Sequence, residues 1–136
     1  MRYFIFFLCY FFSCWAQAQA PHGAIRGVWL AAQDSVLDSK TNIQQVVANC
    51  KKAGINNIYV ATWNRGRTLY PSAIMMERFG VAIDPRYGKR DPLKELIEAA
   101  HTEKIKVHAW FEYGFACAYG DSGAYLLKKY PYYAAI

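Results

Sequence analysis

Three short apolar runs follow the apolar N-terminal stretch of the chain. Runs of this length are typical of strands that are buried on both faces of a sheet. The three predicted strands are residues 25–31, 57–62 and 106–111.

An apolar stripe with helical spacing lies between the first and second predicted strands. It predicts a helix over Thr41–Ala53. Either Ser39 or Thr41 can cap its start with a hydroxyl, and Gly54 suits the left-handed residue that ends it. The stripe consists of Ile43, Val46, Val47 and Cys50, at positions i, i+3, i+4 and i+7.

Two further helices are predicted later in the chain. Asp91 followed by Pro92 is a favoured helix start, and a third helix is predicted from Asp121 or Ser122 through Lys129. A long connection, residues 63–90, separates the second strand from Asp91. The resulting order is β-α-β-α-β-α, which is typical of an α/β chain with a parallel sheet covered by helices.

Two α/β architectures fit this order, an open doubly wound sheet and a closed eight-stranded barrel. A nucleotide-binding sheet would carry a glycine-rich turn after its first strand, but Ala31–Asp34 occupies that place. A closed (β/α)8 barrel of the TIM type needs about 250 residues. We therefore expect these 136 residues to be the N-terminal portion of such a barrel, incomplete in this chain.

The first residues have the layout of a secretory signal peptide. Arg2 precedes an apolar run over residues 3–15, which is too short for the roughly 20 residues of a spanning helix. Cleavage after Ala18, or alternatively after Ala20, assigns residues 1–18 to the signal and 21–136 to the barrel domain. We expect an exported protein, periplasmic, envelope-associated or extracellular, with no membrane span after cleavage. Bulky phenylalanines before Cys14 disfavour a lipoprotein acylated there.

Charge and cysteine content narrow the range of partners. The chain carries 16 Lys and Arg against 10 Asp and Glu, a net charge of +6, but the basic residues are dispersed. Nucleic-acid binding is therefore not expected. A Cys50–Cys117 disulfide is permitted but not determined by the sequence. His108 is expected to be a hydrogen-bonded histidine inside the barrel, and we predict no metal site and no cofactor.

Three blocks of sequence, in this order, resemble the glycosyl-hydrolase-like 10 family of bacterial barrel proteins. They are Arg26–Leu30, Ile58–Val60 running into Arg65–Ser72, and Asp91–Leu93 continuing through Ala100–His101 to Val107–Phe111. The resemblance implies a TIM-type barrel and hydrolysis of a polysaccharide, with bacterial cell-wall glycan as a candidate. Many members have Asn-Pro after the third strand, where this chain has Glu112-Tyr113. A non-catalytic carbohydrate-binding barrel is the alternative.

Barrel active sites lie at the carboxyl ends of the strands, which selects the candidate site residues. Glu112 is the best carboxylate, because apolar neighbours would raise its pKa. Catalysis, sugar binding and pairing with Arg65 or Arg67 all remain open for it. The main acid and nucleophile are expected beyond residue 136, so this portion alone is expected to be inactive. The candidate substrate-binding residues are Asp34, Trp63, Arg65, Arg67, Tyr70, Trp110 and Tyr113; for Trp29 and Trp110, core packing is favoured.

Overall fold

The computed structural model describes residues 23–32, 34–112 and 124–133. The predicted signal peptide, Tyr113, Cys117 and the predicted start of the third helix lie outside them. The strands are β1 (Gly27–Leu30), β2 (Asn57–Asn64), β3 (Arg67–Thr68) and β4 (Lys106–Phe111). The α-helices are α1 (Lys40–Lys52), α2 (Ala73–Phe79), α3 (Pro92–Thr102) and α4 (Ala124–Lys129), with short 3-10 helices at Ser35–Asp38, Pro85–Tyr87 and Pro131–Tyr133.

The sheet is built around β2, which pairs in parallel with both β1 and β4. Its register aligns Val28 with Ile58 and Ile58 with Val107. The intervening helices α1 and α3 serve as the crossovers that parallel pairing requires. The predicted α/β chain with a parallel sheet is confirmed, and its arrangement is consistent with part of a TIM-type barrel.

The hydrophobic core lies between the sheet and the helices α1 and α3. Ile43 of α1, Ile58 and Val60 of β2, and Leu96 and Ala100 of α3 are each fully buried. Burying a side chain of the Ile or Leu type contributes about 1.5–3 kcal/mol each. This core fixes the helices over one face of the sheet and so sets the direction of the strand ends.

The opposite face of the sheet carries a row of stacked rings. The ring of Tyr59 lies between Trp29, with centroids 4.7 Å apart, and His108, with centroids 4.9 Å apart. Trp29 is 59% exposed, so no described element covers this end of the row, and the core packing favoured for Trp29 is not observed among the described residues. His108 Nε2 lies 2.8 Å from Oδ1 of the buried Asn57, which supplies the predicted hydrogen-bond partner, but His108 is exposed in the described part of the chain rather than enclosed.

Both predicted helix starts are observed. The Ser39 hydroxyl accepts from the backbone N–H of Asn42 at 3.0 Å, which makes Ser39 the cap of α1 rather than Thr41. The Asp91 carboxylate caps α3 in the same way, accepting from the N–H of Lys94 at 3.0 Å. Gly54, with φ of 69°, follows α1 in the predicted left-handed conformation.

The connection over residues 63–90 contains more regular structure than the sequence indicated. β3 turns back antiparallel to β2 through Arg65 and Gly66, whose φ angles are 52° and 72°. Two successive positive φ angles suit the twist of a two-residue hairpin. Helix α2 follows, capped by Ser72 and ended by Gly80 in the left-handed conformation. The hairpin was not predicted, because arginine is an uncommon residue at its first turn position.

The end of the described chain docks against α2. The ring of Tyr130 meets Phe79 edge to face, with centroids 5.7 Å apart, and the Lys129 ammonium donates to the carbonyl oxygen of Arg78. Segments that follow β2 and β4 therefore contact each other. Among the described helices, none has the length and apolar content that a membrane crossing requires.

Candidate functional site

The segments that follow β1, β2 and β4 meet at one edge of the sheet, because the carboxyl ends of parallel strands point the same way. Glu112 follows β4 directly. Its backbone N–H donates to the carbonyl oxygen of Trp63 near the end of β2, at 3.2 Å. A shift in strand register between Ala61 and Trp63 accompanies this contact. The local irregularity places a half-buried carboxylate at the edge where barrel active sites form.

The turn after β1 holds two carboxylates on consecutive backbone amides. The N–H of Ala31 donates to Oδ2 of Asp34 at 3.1 Å, and the N–H of Asp34 returns to the carbonyl oxygen of Ala31 at 3.2 Å. The backbone N–H of the next residue, Ala32, faces the carboxylate of Glu112 and favours its charged form. Asp34 and Glu112, from opposite edge strands of the parallel sheet, are thereby brought to the same turn.

The surroundings of Glu112 raise its pKa above the ordinary value. Burial is the largest cause, because it disfavours the charged form, and the negative charge of Asp34 acts in the same direction. The Ala32 N–H and the positive charge of Arg65 act against it without cancelling it. The direction agrees with the sequence-based expectation. Of the two apolar neighbours named for this role, Phe111 is 50% exposed, and Tyr113 lies outside the described residues.

Arg65 and Trp63 belong to the same edge as Glu112. Arg65 is exposed at the tip of the hairpin, in a left-handed conformation that costs a non-glycine residue about 1–2 kcal/mol. Trp63 is half-buried, and within the described part of the chain its buried indole N–H has no acceptor. A buried donor without a partner is costly, so an acceptor from a ligand or water would stabilise it.

The other predicted site residues have different surroundings. Arg67 forms an ion pair with Asp84, 3.8 Å from Nη1 to Oδ1. Tyr70 lines a cavity of about 430 Å³ beside α3, together with Leu93 and Ile97. Trp110 is half-buried against the hydrophobic core, in line with the packing role favoured for it.

Arg86, which was not among the predicted site residues, contributes to this edge. Arg86 reaches the turn after β1, where its Nη2 donates to the carbonyl oxygen of Ala32 at 2.8 Å. The two residues are 54 positions apart, and no spacing rule connects them. Within the described ranges, no group of three or more His, Cys, Asp or Glu side chains could hold a metal ion.

Comparison with known proteins places the chain in a family. The sequence profile of the family described as Glycosyl hydrolase-like 10 matches residues 24–135. Proteins named Glycosyl hydrolase DigH, from Escherichia coli strain K12 and from Shigella flexneri, are each 29% identical to it over 118 residues. The matches cover 71% of this chain and 26% of each relative, so the chain spans about a quarter of those proteins. No solved structure matches it at comparable significance. The predicted resemblance is confirmed, and the chain belongs to the glycosyl hydrolase-like 10 family.

Proposed function

We propose that this chain forms one wall of the sugar-binding cleft of an exported glycoside hydrolase that acts on a polysaccharide. The observation that carries the proposal is the turn after β1. Its Ala31 amide binds the Asp34 carboxylate, its Ala32 backbone N–H faces Glu112, and burial keeps the pKa of Glu112 raised. Membership of a glycosyl hydrolase-like family supports a carbohydrate ligand for a site of this kind.

Glycoside hydrolysis requires a carboxyl group that remains protonated close to the working pH and a second one that is ionised. Glu112 has the environment of the first kind. In the proposed mechanism, its proton is shared with a sugar oxygen in the cleft, while the Arg65 guanidinium at the rim binds hydroxyl or acidic groups of the sugar. Because this chain spans about a quarter of its relatives, we place the main acid and nucleophile in the remainder of the full-length protein, and Glu112 assists them by sharing its proton.

Trp63 is the candidate aromatic contact for the sugar. It directly precedes Asn64 at the end of β2, and its indole N–H, which has no acceptor among the described residues, can donate to a sugar oxygen. Aromatic rings combine a broad apolar face with a polar tip, which suits the C–H face and the hydroxyls of a pyranose. Bacterial cell-wall glycan is the substrate that we propose, with action in the periplasm, at the envelope or outside the cell.

The test compares two variants of the full-length protein on a panel of polysaccharides that includes peptidoglycan glycan strands. Glu112→Gln removes the proton-sharing carboxyl, and we expect the hydrolysis rate to fall by about 10²-fold or more, in the range measured for general acid–base groups. Glu98→Gln, an exposed change on α3, is the control for a generic loss of charge. A Glu112→Gln protein with the rate of the wild type would contradict the proposed role.

The alternative function is a carbohydrate-binding barrel without catalysis. The exposed Trp29 ring, stacked on Tyr59, favours it, because ring faces of this kind bind sugars without any acid. The same panel distinguishes the two functions. Saturable glycan binding without release of reducing ends would identify the binder.

A further inference from the structure

The guanidinium of Arg86, from a distant segment of the chain, binds the turn after β1. The hydrogen bond from the Asp34 N–H to the Ala31 carbonyl closes a four-residue turn, and the carbonyl of Ala32 lies within it. Ala32 is 1% exposed, so little water reaches its backbone. Arg86 Nη2 donates to that carbonyl at 2.8 Å. The buried carbonyl therefore has a charged donor, which forms a stronger hydrogen bond than a neutral one.

Hydrogen bonds and an ion pair restrain the side chain of Arg86. Its Nη2 also donates to the Tyr87 hydroxyl at 3.1 Å, and its Nε lies 3.5 Å from Oδ2 of Asp84. The Asp84 carboxylate additionally accepts from the backbone N–H of Arg86 at 3.0 Å, which caps the 3-10 helix Pro85–Tyr87. Tyr87 is buried, so the helix that carries Arg86 is anchored in the core. Because its side chain is restrained in this way, Arg86 loses little rotamer freedom when it binds Ala32.

We propose that Arg86 is a positioning residue for the candidate site: by binding the Ala32 carbonyl, it locks the turn whose amides hold Asp34 and Glu112. Locking the turn fixes the direction of the Ala32 N–H that faces Glu112. The catalytic consequence of this role rests on the proposed function of Glu112. The positioning itself is a property of the folded chain.

Arg86 differs from Arg65 in how it acts on Glu112. Arg65 acts through its charge, which directly favours the ionised carboxylate. Arg86 acts through the geometry of the turn. Its loss weakens the hydrogen bond from Ala32, and since that bond favours the ionised form, the affinity of Glu112 for its proton increases.

The experiment follows the side-chain carboxyl signal of Glu112 by ¹³C NMR during a pH titration of the full-length protein. Arg86→Gln should move the Glu112 titration upward by about one pH unit, the size expected for losing one hydrogen bond to a carboxylate. Arg90→Gln is the matched control. Arg90 also links the connection after β2 to the segment after β1, donating to the carbonyl oxygens of Leu37 and Asp38 at 3.3 and 2.6 Å. It should leave the Glu112 titration unchanged.

A Glu112 titration that is unaltered in folded Arg86→Gln would overturn the proposal, as would an equal movement in Arg90→Gln. If Arg86→Gln does not fold, Arg86→Lys is the second variant, and it should move the titration in the same direction by a smaller amount. Where glycan hydrolysis is measurable, the high-pH limb of the rate profile should move upward with the titration. If the full-length protein hydrolyses no glycan, the proposed function fails, but the titration still decides the role of Arg86.

Discussion

At the residue scale, the main feature of this chain is Glu112, whose pKa is affected in opposite directions by its surroundings. Burial and the charge of Asp34 favour the protonated form of Glu112, while the Ala32 amide and Arg65 favour the ionised form. Burial is the largest of these, so the pKa of Glu112 remains raised. A carboxyl group with this balance is of use to a hydrolase, because it keeps a proton that the substrate can receive.

The raised pKa of Glu112 predicts a pH-dependent stability difference. A carboxyl whose folded pKa lies above its unfolded pKa stabilises the fold fully below the unfolded value, and this contribution is lost as pH rises through the folded value. Glu112→Gln carries no titrating group. Its unfolding midpoint relative to the wild type should therefore increase as pH rises above the ordinary glutamate pKa of about 4.3 and through the raised pKa of Glu112. Thermal unfolding over a series of pH values measures it, and a difference that is constant with pH would count against a raised pKa.

A second prediction at the residue scale concerns the effect of Gly27→Ala on stability. A Cβ at this position would lie 2.6 Å from Cε2 of Tyr59, so Gly27→Ala must displace the ring that stacks between Trp29 and His108. We expect a loss of about 1–3 kcal/mol in the free energy of unfolding, as for other overpacked sites. Urea denaturation measures it. Adding Tyr59→Leu should relieve the contact, and the two changes should then be non-additive.

At the element scale, local signals predicted the helices well and the long connection poorly. The starts of α1 and α3 were readable from Ser39 and Asp91, because a capping side chain acts within a few residues of its own position. The hairpin into β3 was not readable, because its turn residue Arg65 adopts a conformation that its residue type disfavours. Contacts with the rest of the fold must hold it there.

The cap of α1 gives an element-scale prediction with an internal control. Ser39 accepts from the Asn42 N–H, whereas Thr41 lies inside the helix. Ser39→Ala should lower the free energy of unfolding by about 1 kcal/mol, because it leaves one helix N–H without its acceptor. Thr41→Ala should leave it unchanged or increase it, since alanine has the higher helix propensity. Chemical denaturation of both variants is the measurement, and equal losses would show that Ser39 is not the cap.

At the scale of the whole molecule, the alternation of apolar strands with amphipathic helices along the chain was sufficient to predict a parallel sheet. The covered side of α1 follows from its apolar stripe, and Ile43 and Val47 of that stripe are buried in the core. The candidate site was predicted less completely. Asp34 and Glu112 were each selected by their position after a strand, but their common turn and the role of Arg86 depend on contacts between distant segments.

The most direct test of the account is the pH dependence of glycan hydrolysis by the full-length protein. We predict that the wild-type rate falls as pH rises through the raised pKa of Glu112, because Glu112 then no longer shares a proton with the sugar. The rate of Glu112→Gln should be lower throughout and should lack this limb. A variant that hydrolyses glycan at the wild-type rate, with the same dependence on pH, would contradict the assignment of this strand edge as the sugar-handling site.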